Sequence, residues 1–271
     1  MKKTLLHVLL IAITAVTIYP ILVVIGISLR PGNALYSTSL ALIPDGASLT
    51  AYRTVLFEKP FGRWMMNSAI VSVSVTILGV ALASTAGYAF SRFKFRGRGV
   101  GLTVFLTTQM FPATMLLLPL YVLMRQLGLT NSLFGLAIAY SATALPFCVW
   151  TMKGYFDSIP ISLEEAALVD GSTRFGAFWR VILPLSTPAL AITALFSFMA
   201  GWSEFIVARV VVSSQELYTL PLGLHGLSGS FQTEWANYSA GAVLVSIPVM
   251  VIFLLLNRFL VSGLTLGGIK D

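Results

Sequence analysis

Acidic side chains are few: ten Asp and Glu stand in 271 residues, against seventeen Lys and Arg. Charged residues make up 10% of the chain, too few to coat a soluble domain of this length. Cysteine is absent except for Cys148, which excludes an internal disulfide and any multi-cysteine metal site. The two histidines, His7 and His225, lie far apart in sequence. With Cys148 they offer no converging acid, base or metal set, which speaks against an intramembrane enzyme. No Gly-x-x-x-x-Gly-Lys-Ser/Thr phosphate loop occurs, so the chain does not supply an ATPase of its own. No clear internal repeat is present and Glu204 is alone in its span, whereas ion-coupled secondary transporters commonly show repeats and several buried ionisable groups. A stand-alone transporter of that kind is kept as the alternative.

What is present is apolar surface. Hydrophobic residues reach 57% and the mean hydropathy is +0.89. These values predict an all-α polytopic membrane protein. Segments of about twenty apolar residues match a bilayer core of roughly 30 Å, and six are placed, at about 5–29, 66–90, 101–124, 132–152, 186–208 and 239–261. Met1-Lys2-Lys3 followed by an apolar run looks at first like a secretory signal. The run continues to about Leu29 with no small-x-small cleavage site, so it is taken as the first span. The net charge of +7 resides in short loops and reports topology, not nucleic acid. With the amino terminus inside, eleven of the seventeen basic residues fall on the inner side, among them Arg92, Lys94, Arg96, Arg98, Lys153, Arg174 and Arg180. Both termini are therefore expected in the cytoplasm.

Within the spans, Gly79, Ala83 and Gly87 recur every four residues as a stripe suited to close helix approach, a substrate surface being the other option. Met110-Phe111-Pro112 and Pro119 predict a kinked third span. In the fifth, Thr193, Ser197, Gly201 and Glu204 are expected to stack on one side. A carboxylate in a membrane faces protein or water, which makes Glu204 a candidate for a translocation path; an outer-interface position or a pair with Arg209 is the other option. The outer loop Ser213 to Tyr238 is rich in Gly, with His225, Gln232, Thr233, Glu234 and Trp235, a composition fit for sugar contact or for any interfacial loop.

Between two apolar segments lies an amphipathic block, Ser158 to Pro188. Ser162 and Glu165 have the spacing of a capping box opening a helix to Val169, and Asp170-Gly171 stops it. Ser172 or Thr173 can cap a second helix from Arg174 to about Leu183, with Phe175, Phe178, Trp179 and Ile182 assigned to one face. Pro184 and Pro188 close the block. An apolar patch of this size on a cytoplasmic loop calls for a partner protein, the other reading being a plain capping box whose aromatics rest on the bilayer.

Glu165-Ala166-Ala167, Gly171, Val181 and Leu183-Pro184 resemble the coupling motif of binding-protein-dependent ABC importer permeases, with Val181 where Ile is usual. Tyr88-Ala89-Phe90-Ser91-Arg92, Gly154-Tyr155-Phe156, Arg30-x-Gly32-Asn33, Met110-Phe111-Pro112 and the ending from Gly263 to Lys270 are similar to carbohydrate importers, in particular the smaller, MalG-type permease subunit of the maltose/maltodextrin family. The resemblance implies a single transmembrane domain of six helices with a cytoplasmic coupling loop at 158–188, in a bacterial inner membrane. It implies no enzyme activity and no cofactor in this chain. ATP and Mg2+ are expected on two ATP-binding partner subunits, alongside a larger second permease and an extracytoplasmic sugar-binding protein. The cargo it suggests is maltose, maltodextrin or trehalose. Glu165, Ala166, Ala167, Asp170, Gly171 and Pro184 would couple to the ATPase, and Gln232 and Thr233 would lie near the tip of a sugar-release loop. The sixth helix is expected to end near Val261, and the tail with Gly267, Gly268, Ile269 and Lys270 would enter the ATPase interface, a solvated cytoplasmic end being the other possibility.

Overall fold

A chain in hydrocarbon must satisfy its backbone N–H and C=O groups internally, so each apolar run is expected to fold as helix. The computed structural model describes residues 2–32, 35, 43–229 and 233–266. Among these the chain runs through α1 (Lys2–Ser28), α2 (Thr50–Arg53, continued by a π-helical turn Thr54–Glu58), α3 (Phe61–Arg92), α4 (Arg98–Met110), α5 (Ala113–Gln126), α6 (Leu133–Ser158) and α7 (Ser162–Val169). There follow α8 (Arg174–Ala177, continued by a π-helical turn Phe178–Ile182), α9 (Leu183–Leu185), α10 (Thr187–Trp202), α11 (Ile206–Val211), α12 (Leu220–His225) and α13 (Trp235–Leu266). The described residues hold no strand beyond one antiparallel bridge, Ser228 with Thr233.

Four helices, α1, α3, α6 and α13, are long and apolar enough to cross a membrane, and there are six spans if each of two bent pairs counts as one. The third span is not merely kinked. Between α4 and α5 the axis turns by 108°, and the break falls at Phe111-Pro112 because Phe111 is extended and the proline supplies no N–H. Pro119 stays inside α5 and breaks nothing. The fifth span is also interrupted. The α10 helix has 16 residues, about 24 Å at 1.5 Å per residue, and stops at Trp202; the run predicted to Ala208 resumes only as α11. At its other end a 79° bend separates Arg174–Leu185 from Thr187–Trp202. The sixth helix passes its expected end at Val261 and continues to Leu266.

The chain forms two compact units. One comprises Met1–Met65 and Leu220–Val249. In it, Gly223 lets the ring of Trp64 lie on the α12 backbone, since a Cβ there would meet the indole at 2.2 Å. Ser28 and Tyr52 hydroxyls meet at 2.7 Å, and Lys59 pairs with Glu234 at 3.1 Å. Every residue of α1 from Lys3 to Leu22 is exposed, an apolar surface suited to lipid.

The second unit, Met66–Thr219 with Met250–Asp271, holds α4 to α11. Here α6 is central, packed by α4, α10 and α11. The predicted small-residue stripe serves packing. Ala83 is fully buried, a Cβ on Gly79 would lie 2.4 Å from Ser197 Oγ, and one on Gly87 would lie 2.9 Å from Met152 Cβ and 3.0 Å from the Lys153 nitrogen. Gly201 adds a third close approach, α10 to α3, with Ser72 Cα 2.8 Å from where a Cβ would stand. Without a hydrophobic force between helices in lipid, such backbone contact is what holds them.

These glycines set a prediction. Gly201→Ala forces backbone apart at Ser72, and overpacking of this kind costs about 1–3 kcal/mol. Gly154→Ala, on α6 with no atom within 4 Å, is expected to stabilise by up to about 1 kcal/mol. Thermal unfolding of the purified protein in detergent should show opposite shifts for the two variants.

Candidate functional site

The predicted coupling block forms two short helical segments at a tight corner. The corner is a Schellman motif: Ser172 N–H donates to Ala167 O at 2.9 Å and Gly171 N–H to Leu168 O at 3.1 Å, with Gly171 at φ +88°. The sequence signal for a Gly stop is thus realised. The capping box is not. Ile161, not Ser162, occupies the N-cap of α7, and no side chain caps that end. At α8 the cap is Thr173, whose Oγ1 accepts from Gly176 N at 3.1 Å.

The four aromatic and aliphatic residues assigned to one face divide between two. Phe178 and Ile182 are buried, whereas Phe175 is 71% and Trp179 54% exposed. The pairs are each four apart in sequence, and the π-helical turn from Phe178 to Ile182 widens the helix and rotates the later residues relative to the α-helical register. Glu165, Ala166, Asp170, Gly171 and Pro184 are exposed, and Ala167 is half-buried. Ile161, Val169, Phe175 and Trp179 are large exposed apolar groups of this block, Trp179 also lining a groove against Thr76 to Thr85 of α3.

The inner surface is anchored by residues that the spacing of the motif did not single out. Glu164, not its neighbour Glu165, is turned inward, where it forms an ion pair with Arg92 of α3, the two side chains 11% and 8% exposed. Its second oxygen accepts from Tyr88 OH at 2.8 Å. Arg92 also donates from Nη2 to Ile159 O at 3.0 Å and from Nη1 to Ser91 Oγ at 3.2 Å. Ser91 donates to Asp157 at 2.6 Å, and Asp157 pairs with Lys153. The Tyr88 ring lies 4.6 Å from that of Phe178 and 6.0 Å from that of Phe156. Between this anchor and the outer surface lies a cleft of about 270 Å³ whose wall includes Arg92, Glu164, Glu165 and Arg174. The available signal was the Tyr88 to Arg92 stretch, noted for its resemblance but given no partner.

The predicted polar stack of the fifth span is divided. Thr193 and Ser197 are fully buried in α10, Ser197 Oγ lying 3.3 Å from Cys148 Sγ, and Gly201 faces α3. The side-chain oxygens of Ser72 and Thr193 are buried without a hydrogen-bond partner among the described residues. Glu204 lies beyond the end of α10, off that face. Its carboxylate accepts from Val207 N at 3.1 and 3.0 Å and from Ala208 N at 3.3 Å, so it caps α11, where negative charge is favoured. Asn131, at φ +50°, straps the following segment by accepting from Ser213 N and Ser214 N at 3.1 and 2.9 Å. Asn67 holds its continuation through Glu216 O and Tyr218 O at 2.8 and 3.0 Å. In the loop expected to release sugar, Thr233 bridges to Ser228; Gln232 lies outside the described residues, as do Gly267, Gly268, Ile269 and Lys270 of the tail.

Four helical spans, or six if each of two bent pairs counts as one, with an exposed two-helix knob anchored to the ends of two others, define a polytopic membrane protein. Comparison with known proteins makes this particular. The chain belongs to the family described as binding-protein-dependent transport system inner membrane component, whose model matches residues 76–265. It is 40% identical over 269 residues to the galactooligosaccharides transport system permease protein GanQ of Bacillus subtilis (strain 168), covering 97% of this chain and 94% of that protein. It is 39% identical over 283 residues to the maltose/maltodextrin transport system permease protein MalG of Vibrio parahaemolyticus serotype O3:K6 (strain RIMD 2210633), covering 97% and 94%. Its fold is similar to a chain in the crystal structure of a bacterial ABC transporter involved in the import of the acidic polysaccharide alginate, with a TM-score of 0.82, 27% identity and coverage of 94% and 95%. The resemblance to MalG-type permeases is borne out. The stand-alone ion-coupled transporter falls with this membership, and the chain is a permease subunit, not an enzyme.

Two predictions follow from local geometry. A Cβ at Gly171 meets no atom within 4 Å, so the cost of Gly171→Val is one of backbone conformation, about 1–2 kcal/mol. Amide exchange in α7 should quicken accordingly, and Gly171→Asn should quicken it less. At the other site, the amide of Asn237 donates to Glu234 at 2.7 Å and, with Lys59, holds that carboxyl below the ordinary carboxylate range. A depressed folded value means stability that is full above the ordinary glutamate pKa of about 4.5 and is lost as pH falls through the lowered folded value. Glu234→Gln should flatten the acid side of the unfolding profile.

Proposed function

We propose that this chain is the smaller of two unlike permease subunits in a bacterial inner-membrane importer of oligosaccharides, forming half of the translocation path and coupling it to ATP hydrolysis on partners. The observation that carries this is the docking unit: an exposed apolar surface of Ile161, Val169, Phe175 and Trp179 on a scaffold held by a nearly dry ion pair. A solvated loop needs neither, and a monomer rarely leaves such a patch uncovered. The partners are two ATP-binding subunits carrying ATP and Mg2+, a larger permease, and an extracytoplasmic binding protein. A structural neighbour described as a bacterial alginate ABC transporter with a pentasaccharide-bound periplasmic protein supports that class of assembly through the fold alone, at 14% identity and a TM-score of 0.70. The names of the relatives support a cargo of short sugar chains, maltose or maltodextrin and galactooligosaccharides; trehalose is a candidate from the motif resemblance alone. The excess of basic residues between the second and third and between the fourth and fifth spans supports a cytoplasmic docking unit and cytoplasmic termini. In this reading Gly267 to Lys270, which lie outside the described residues, serve the ATPase interface, and Gln232, also outside them, serves the binding protein with Thr233.

Reconstitution of the chain with its partner permease, ATPase and binding protein in proteoliposomes tests the proposal. Maltodextrin or galactooligosaccharide with binding protein is expected to stimulate ATP hydrolysis and uptake. Phe175→Ala and Trp179→Ala should each weaken ATPase association about tenfold, the scale of an interface hot spot. No ATPase association by the unaltered chain, or no response to any oligosaccharide, would overturn it.

A further inference from the structure

The network behind the docking unit has more charge than attachment needs. Buried ion pairs are often no more stabilising than well-packed apolar groups of the same size, so a chain that only had to hold a loop against its spans gains little from one. What such a pair does supply is a fixed geometry with a steep penalty for breaking it. In this structure Arg92 reaches three elements at once: Nε to Glu164 of α7, Nη2 to the Ile159 carbonyl at the end of α6, and Nη1 to Ser91 of its own helix. Tyr88, one turn back on α3, closes the ring by donating to Glu164 while its face lies on Phe178. Immediately beside it, Gly87 puts the α3 backbone against Met152 and Lys153, so that α3 and α6 have no slack in which a displacement would be absorbed. Neither charge belongs to the exposed face. Glu165, Phe175 and Trp179 occupy that, with Glu164 and Arg92 beneath.

We propose that Arg92 and Glu164, completed by Tyr88, are the transmission pair of the transporter: positioning residues that make the docking unit and the inner ends of α3 and α6 move as one body. A push on α7 by a partner is then delivered up α3 to the seams at Gly79 and Gly201, where α3 meets α10. This rests on the proposed docking to an ATPase. It differs from that proposal in assigning coupling to residues the partner does not touch.

The assembled complex in proteoliposomes provides the test, with two readouts: co-purification of the ATPase, and ATP hydrolysed per molecule of sugar imported. Arg92→Gln is expected to retain the ATPase yet raise the ATP used per sugar about fivefold or more, the lower edge of usual coupling between sites. Arg92→Lys, which keeps the charge without the fork, should fall between Arg92→Gln and the unaltered chain. Tyr88→Phe, which removes one hydroxyl, should shift the ratio in the same direction by less. A merely structural role would lower hydrolysis and uptake in proportion and leave the ratio unchanged; that result overturns the inference. Should Arg92→Gln fail to assemble, Tyr88→Phe decides by the same ratio. An unaltered complex that binds no ATPase removes the functional proposal itself and this inference with it, whereas a working unaltered complex with unchanged ratios in the variants removes the inference alone.

Discussion

Inside a bilayer no water is available to a freed backbone group, and each unsatisfied N–H or C=O costs several kcal/mol. Every departure from helix in the spans of this chain is accordingly stitched by its own groups. At Phe111-Pro112 the Pro112 carbonyl takes the Met115 N–H at 2.9 Å, opening α5 at once. Ser186, at the 79° bend, returns its N–H to Ile182 and Leu183, both at 3.0 Å, and its hydroxyl to Ile182 at 2.7 Å. Between α10 and α11 the carboxylate of Glu204 takes up two amides that have no helical partner. Hydroxyls in intact helix follow the same economy: Ser74, Thr76, Ser84 and Thr85 each donate to the carbonyl four residues back along α3.

That constraint explains which parts of the structure were legible. Bilayer thickness imposes a length on apolar runs, so six segments were visible in the sequence, and Gly79 and Gly87 announced a close approach that α10 and α6 fill. Breaks were harder to see because apolar composition continues across them: Phe205 and Ile206 look like the same span as Trp202, and only the capping role of Glu204 separates them. The extension of α13 from Val261 to Leu266 was hidden for the opposite reason, since Ser262-Gly263 reads as a stop and the helix runs through it. Helical periodicity assumed 3.6 residues per turn through Phe178 to Ile182, where the turn is wider, and so merged a buried pair with an exposed one. In the coupling block, Gly171 was legible because a positive φ selects glycine, while the start of α7 was not, since Ser162 offers a capping side chain that the fold does not use. Arg92 and Glu164 stand 72 residues apart, and no local rule relates them.

The buried charge also orders the energetics of the inner face. Removing one member of a buried pair costs about 3–5 kcal/mol because the other is left uncompensated. Arg92 reduces that exposure to failure by distributing its donors over a carboxylate, a carbonyl at 3.0 Å and a hydroxyl at 3.2 Å. The Ile159 carbonyl is the end of α6, where a cation meets the negative pole of the helix. One guanidinium thus terminates a span and orients the docking helix beyond it.

Glycine and charge divide the labour along α3. Toward its middle, Gly79 brings α10 close enough that a methyl group would collide with Ser197, and contacts of that kind are dispersive, short-ranged and able to slide when helices shift. At its carboxyl end, Ser91 and Arg92 are directional donors that hold one geometry and lose most of their value over an ångström. A lever works only if one end is fixed to its load more firmly than its length is fixed to its surroundings. The α3 helix has that gradient: a stiff polar clamp to α6 and α7, then a smooth seam of small residues against α10. The gradient of stiffness along this helix is therefore written in which of its residues are polar and which lack side chains.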